Sequence, residues 1–344
     1  MITRSSSASQ SSTPRWQQEW AQGVSQVTEL LALLELDAAL APTLAPAAAA
    51  FPVRIPHSFI RRMRRGDPHD PLLRQVLPLT QELLTAPGFV RDPVGDLAAM
   101  AQPGVLHKYA GRALLVTTGA CAIHCRYCFR RHYPYAQAHA GQASWARALE
   151  HLRADVSIHE VILSGGDPLA LSDAKLAQLA QTLDEITHLR RLRIHTRLPV
   201  VLPARVDVPL LAWLGQGRLP RVIVLHVNHA QELADAEVVH ALATLRQSGA
   251  TLLNQAVLLR GVNDTLDALV ALSEALFNAG VLPYYLHQLD RVQGAAHFEV
   301  PDEEALALLA EVRARLPGYL VPRLVREVAG APAKLPVELL QSSS

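Results

Sequence analysis

Cysteine is scarce in this sequence. Its 344 residues hold three, Cys121, Cys125 and Cys128, all inside the stretch "GACAIHCRYCFRRHYPY". With no fourth, a pair of disulfides and an all-cysteine tetrahedral zinc site are both excluded. An excess of one charge is also missing: 32 Lys and Arg stand against 31 Asp and Glu, a formal net charge of +1. No long basic tract offsets that balance, so no nucleic-acid partner is expected. Long apolar runs are absent as well. The Ala-rich "LDAALAPTLAPAAAAFP" is broken by prolines and too short to span a bilayer, and the Ser/Thr-rich start "MITRSSSASQSSTPRW" lacks the apolar core of a secretory signal. The expectation is a cytoplasmic protein with no membrane partner, in surroundings where clustered thiols serve metals or redox chemistry more often than bridges.

What is present is a chain half hydrophobic, long enough for one large domain or two ordinary ones. Residues 1–14 read as disordered. Residues 15–105 read as a mostly helical N-terminal region, opened by the helically spaced "WQQEWAQGVSQVTELLALLEL". The main domain is placed at 106–338, followed by a tail at 339–344. Six apolar runs mark it: "ALLVTT", "EVILSGG", "RLRIHT", "RVIVLHV", "TLLNQAVLL" and "LPYYLHQ", separated by helical patterns. Six βα units in series imply an α/β fold with a parallel sheet, either open and doubly wound or curled into a barrel. Each run ends in polar or small residues, among them Ser164–Asp167, His195–Arg197 and Gln288–Asp290. Such ends converge on one rim of a barrel, which favours a partial (β/α)6 barrel; the plainer alternative is that they open solvent-exposed turns.

The spacing C-x3-C-x2-C after the first run can bind three irons of one cubane cluster and leave the fourth open to a substrate or cofactor. An electron carrier normally supplies four cysteines. The alternatives are three incidental thiols or a zinc loop borrowing His124 or His132. In "LSGGDPL", two glycines at a strand end permit a close approach of backbone to a ligand, although such a triplet is equally a common turn.

Taken together, the cysteine loop, the flanking Tyr127 and Phe129, and the glycine pair resemble the radical S-adenosylmethionine superfamily. The resemblance implies a 4Fe-4S cluster on Cys121, Cys125 and Cys128. It also implies that S-adenosylmethionine is held by the cluster's open iron together with Gly165, Gly166, Asp167, Arg197, His226 and Gln255, and is cleaved there to a 5′-deoxyadenosyl radical. Over roughly residues 100–338 the sequence is similar to the lysine 2,3-aminomutase family. The segments carrying this include "HKYAGRALLVTTGACAIHCRYCFRR", "TRLPVVLP", "NQAVLLRGVND", "PYYLHQLD" and "GYLVPRLVREVAGAPAKLPV".

That family also uses pyridoxal 5′-phosphate. The resemblance makes Lys334, in "AGAPAKLPV", the Schiff-base lysine, with Tyr109 and Arg112 at the cofactor and Lys108 where the family often has arginine. It assigns Arg130 to the substrate carboxylate, and Asp290 and Glu327 to the distal ammonium of lysine. The implied reaction interconverts free L-α-lysine and β-lysine with electrons from a reductant protein. The short form resembles the bacterial branch that supplies (R)-β-lysine for modification of translation elongation factor P, where a separate ligase attaches it. Thr265 stands where longer relatives can place a zinc-binding cysteine, so a zinc-linked oligomer of that type is not expected. An aminomutase for another amino acid, such as glutamate, would replace the acidic pair. A non-enzymatic iron-sulfur electron-transfer module would not need Lys334, Arg130, Asp290 and Glu327 together.

Overall fold

The computed structural model describes residues 13–135 and 142–341. Seven strands run parallel: β3 (Arg112–Thr118), β4 (Glu160–Gly165), β5 (Arg191–Thr196), β6 (Arg221–Leu225), β7 (Thr251–Val257), β8 (Leu282–His287) and β9 (Arg323–Arg326). An antiparallel hairpin, β1 (Met100–Gln102) and β2 (Val105–Tyr109), extends one edge, and β10 (Leu335–Pro336) extends the other. The spatial order of strands is their order along the chain. No pairing joins the two edges among the described residues, so the barrel is partial.

The expected six strands are β3 to β8. A seventh parallel strand, β9, is four residues long, and β10 only two. Segments that short carry no period of their own, which is why the pattern stopped at six. β1 and β2 also cross the boundary drawn at residue 105, because hydrogen bonding to β3 makes the hairpin part of the sheet.

Helices Gln142–Ala154, Asp173–Asp184, Val208–Leu214, Ala236–Gln247, Leu266–Asn278 and Asp302–Arg315 carry the chain between successive parallel strands. The helix Asp173–Asp184 shows why: Leu176, Leu179, Ala180 and Leu183 recur at three- and four-residue spacing and are buried. Each fully buried leucine is worth about 1.5–3 kcal/mol. Thr265 caps the helix Leu266–Asn278, accepting from the Ala268 amide at 3.3 Å.

The N-terminal helices Arg15–Ala21, Val27–Leu33 and Ala41–Ala50 share one continuous apolar core with the barrel, running from Trp16 to Val337. Residues 13 and 14 apart, the stretch expected to be disordered lies outside the described residues. Residues 339–341, assigned to the tail, belong to the helix Val337–Gln341. Among the described residues no helix is long and apolar enough to cross a membrane.

Candidate active site

The strand ends enclose a cavity of about 480 Å³, and every residue singled out from the sequence as a site residue lines it. Cys121, Cys125 and Cys128, Lys334 with Asp290 and Glu327, and Arg130 all belong to the one lining.

The thiol loop follows β3 and is held by the N-terminal region. The amides of His124 and Arg126 donate to the carbonyls of Arg54 (3.0 Å) and Gln75 (2.9 Å). Arg126, fully buried, forks onto Glu82 at 2.8 and 2.6 Å and also donates to the carbonyls of Phe51 and Ala47. Arg131 reaches the same Glu82 at 2.8 Å. Removing Glu82 would strand two buried guanidinium groups beneath the loop. His124 Nδ1 meets the carbonyl of Pro52, and His132 Nε2 that of Gln293. Among the described residues neither imidazole gathers with the thiols into a group of ligand atoms within 4.8 Å of one another, so the zinc loop borrowing one of them has no support.

Burial, and then the neighbouring Cys125, pushes the Cys128 thiol up to about 11; burial likewise pushes Cys121 well above its ordinary value. Thiols crowded in a cavity wall resist ionisation until a cationic centre binds them. Three thiols of one loop lining the same cavity, with no fourth, fit an iron-sulfur cluster with one iron left open.

The glycine pair serves the loop itself. A Cβ on Gly165 would lie 2.4 Å from the Thr118 carbonyl oxygen, and one on Gly166 would lie 2.5 Å from that of Ala120. Gly165 also has φ +122°. The close approach is therefore between β4 and the backbone leading into the thiol loop, fastened by Gly166 N to Thr118 O at 2.6 Å and Asp167 N to Ala120 O at 2.9 Å. The Asp167 carboxylate accepts from Thr196 Oγ1 and from the amides of Leu169, Arg197 and Leu198. Its acceptor sites are consumed, so it ties the end of β4 to that of β5 and orients Arg197.

Arg197 in turn donates to Cys125 Sγ (2.8 Å), Tyr127 Oη (2.8 Å), Gln75 Oε1 (2.7 Å) and Glu232 (2.9 Å). His226 stacks on Tyr127 with centroids 5.6 Å apart, and burial, then Arg197, pushes it down to about 3, so it is neutral. Gln255 lines the cavity from β7.

β9 and β10 pair antiparallel with Leu335 facing Arg326, which brings the flanking Glu327 and Lys334 together. Lys334 Nζ donates to Glu327 Oε2 at 2.6 Å, and Lys108 Nζ to Oε1 at 2.7 Å. Burial would raise the Glu327 acid, but the two ammonium groups outweigh it and hold the carboxyl down at about 2. Asp290 differs. Its carboxylate has no hydrogen-bond partner among the described residues, and burial, then the charge of Glu327, pushes it up to about 7.

The residues near Lys334 suit a phosphorylated aromatic cofactor. Arg112 lies over the Tyr109 ring at 4.7 Å and has no acidic partner among the described residues. Tyr109 Oη and His195 Nε2 are buried with no hydrogen-bond partner. These are an unspent cation and two orphaned polar atoms in one cavity, the condition expected of a site built for a polar ligand.

Arg130 donates Nε to Asp96 at 2.7 Å and Nη1 to Ser164 Oγ at 3.0 Å; Lys108 reaches the other Asp96 oxygen at 2.6 Å. Asp96 thus links Arg130 through Lys108 to Glu327 and Lys334. Sequence reasoning missed Asp96, Glu82, Gln75 and Glu232. Their partners are distant in the chain, and a lone acid before a strand looks like a solvated one.

A thiol loop after the first parallel strand of a partial barrel, locked to a glycine pair after the second, defines a radical S-adenosylmethionine domain; the family model described as Radical SAM superfamily matches residues 115–272. L-lysine 2,3-aminomutase of Escherichia coli strain K12 is 49% identical over 326 residues, 94% of each chain. The protein of that name from Haemophilus influenzae is 48% identical over 284 residues, 83% of this chain and 84% of its own. The one from Clostridium subterminale is 35% identical over 279 residues, 79% of this chain and 65% of its own. The chain belongs to the lysine 2,3-aminomutase family. Its radical S-adenosylmethionine domain implies a 4Fe-4S cluster and S-adenosylmethionine.

Proposed function

We propose that this protein is a radical isomerase converting free L-α-lysine to β-lysine, specifically (R)-β-lysine destined for modification of translation elongation factor P, with pyridoxal 5′-phosphate carried on Lys334. The observation that carries the reading is the charge layout of the cavity: the unpaired carboxylate of Asp290 shares it with the guanidinium of Arg130, the amine of Lys334 and three thiols. The relatives named above, each an L-lysine 2,3-aminomutase, support the lysine aminomutase part of it.

When bound, the cluster with S-adenosylmethionine supplies a carbon-centred radical, fed by an external reductant protein, and pyridoxal phosphate supplies a conjugated carrier for the migrating nitrogen. The chain's own residues do the rest. Cys121, Cys125 and Cys128 hold the cluster, with Arg197 donating to Cys125. Arg130 receives the substrate carboxylate, for which a guanidinium offers a matched fork. Asp290 receives the distal ammonium. Glu327 holds the Lys334 ammonium whenever that amine is free, and Lys108 keeps Glu327 charged. Glutamate would set a carboxylate against Asp290 and Glu327, a like-charge contact that the cavity rejects.

The test is an anaerobic assay of cluster-reconstituted protein with reductant, S-adenosylmethionine and pyridoxal phosphate, offering lysine and glutamate separately. (R)-β-Lysine from lysine alone is the expected product. Turnover of glutamate, or S-adenosylmethionine cleavage with neither amino acid consumed, overturns the substrate assignment.

Asp96 is a positioning residue in this reading. Asp96→Asn is expected to raise the lysine KM by about tenfold or more, because Arg130 loses a charged partner. Cluster absorbance should be unchanged, and Asp96→Glu should recover most of the loss. An unaltered KM in Asp96→Asn removes this role.

A further inference from the structure

Outside the cavity, three metal-ligating side chains converge where β2 meets the C-terminal end of the helix Gln142–Ala154. His107 of β2, His151 of the last helical turn and Asp155 just beyond it each offer one ligand atom, and these atoms lie within 4.8 Å of one another. The helix aligns two of them, since residues four apart share one face. The third is brought in by backbone: after the helix, the amides of His159 and Glu160 both donate to the carbonyl of Gly111, at 2.8 and 3.1 Å, binding this connection to the turn between β2 and β3.

Each group is left short of a partner. His151 Nε2 is buried with no hydrogen bond. His107 Nδ1 stands 3.9 Å from Asp155 Oδ2, beyond hydrogen-bond reach. The other oxygen, Oδ1, accepts from Ser157 N at 3.0 Å and Ser157 Oγ at 2.6 Å. That pair fixes the carboxylate and leaves Oδ2 for the histidines. The site also lies at the helix C-terminus, where the macrodipole favours a cation.

We propose that His107, His151 and Asp155 form a binding site for a borderline divalent transition ion such as Zn²⁺, with water as a further ligand. Two imidazoles and one carboxylate suit zinc, whereas magnesium and calcium favour all-oxygen shells. Tetrahedral bonds of 2.0–2.2 Å set donor atoms about 3.3 Å apart, so side-chain shifts of about 1 Å close the present spread. The ion fastens β2 to the helix. Because Lys108 and Tyr109 directly follow His107 in β2, it also fastens a strand that contributes to the cavity wall.

The test uses full-length protein with its cluster loaded, so that the cavity thiols are occupied. Equilibrium dialysis against Zn²⁺ in excess Mg²⁺, followed by metal analysis, is expected to give one zinc per chain. Asp155→Asn and His151→Gln should each weaken binding at least about tenfold with circular dichroism and cluster absorbance unchanged. Zinc should raise the Tm of the wild type and not of Asp155→Asn. Absence of bound zinc in the wild type, or equal affinity in both variants, overturns the proposal.

Discussion

The Lys334→Ala variant is expected to retain its cluster, to lose the visible absorbance of covalently held pyridoxal phosphate, and to turn lysine over at least about 10³-fold more slowly than wild type. The physical basis is the absence of a replacement. The chain has three lysines, Lys108, Lys175 and Lys334. Lys175 is exposed on the helix Asp173–Asp184, away from the cavity lining. Lys108 is in the cavity, but its ammonium is committed to Asp96 at 2.6 Å and Glu327 at 2.7 Å. Among the described residues Lys334 has one ion pair, with Glu327. Borohydride reduction of the wild type with pyridoxal phosphate, followed by peptide mass mapping, gives a readout independent of turnover. A pyridoxyl label on Lys334 supports the reading, and a label on Lys108 transfers the role.

Asp290→Asn is expected to move binding and stability in opposite directions. Lysine affinity should fall by about 10–100-fold, the cost of losing a charge-assisted partner for an ammonium. In the wild type that affinity should rise between pH 6 and 8, because Asp290, pushed up to about 7, receives the ammonium as a carboxylate. The variant should lack this rise. Stability runs the other way. A folded acid whose pKa lies above its ordinary 3.8 keeps its proton where the unfolded chain has released it, so the native state loses stability as pH climbs from about 4 to 7. Asp290→Asn should therefore unfold at a higher Tm at pH 8, with a gain on the order of 2–4 kcal/mol that disappears below pH 4. A wild type with flat lysine affinity and stability across this range would sink the assignment of Asp290 as the unpaired acceptor. The combination is the ordinary trade of a binding site, in which a charge held without a partner costs stability until the ligand supplies one.

Glu327 and Asp290 were read together from the sequence as two acids for one ammonium. In the structure they are unequal. Both Glu327 oxygens are taken by lysines of the chain itself, which leaves Asp290 as the free acceptor. The same holds for the glycine pair, which meets the backbone ahead of the thiol loop, and for Asp167, whose carboxylate is spent on β5.

By itself the sequence determined whatever depends on neighbours along the chain. Three cysteines within one short loop stay together however the rest folds, alternation of apolar strand runs with helical periods dictates a parallel α/β sheet, and strand ends gather on one rim once that sheet curls. The tertiary structure decided which charges meet. Arg130 with Asp96, Arg126 with Glu82, Arg197 with Glu232 and Lys108 with Glu327 are pairs from distant parts of the chain. A buried ion pair has no local signature, because each member by itself looks like a solvated surface charge, and only packing removes the water that would otherwise separate them.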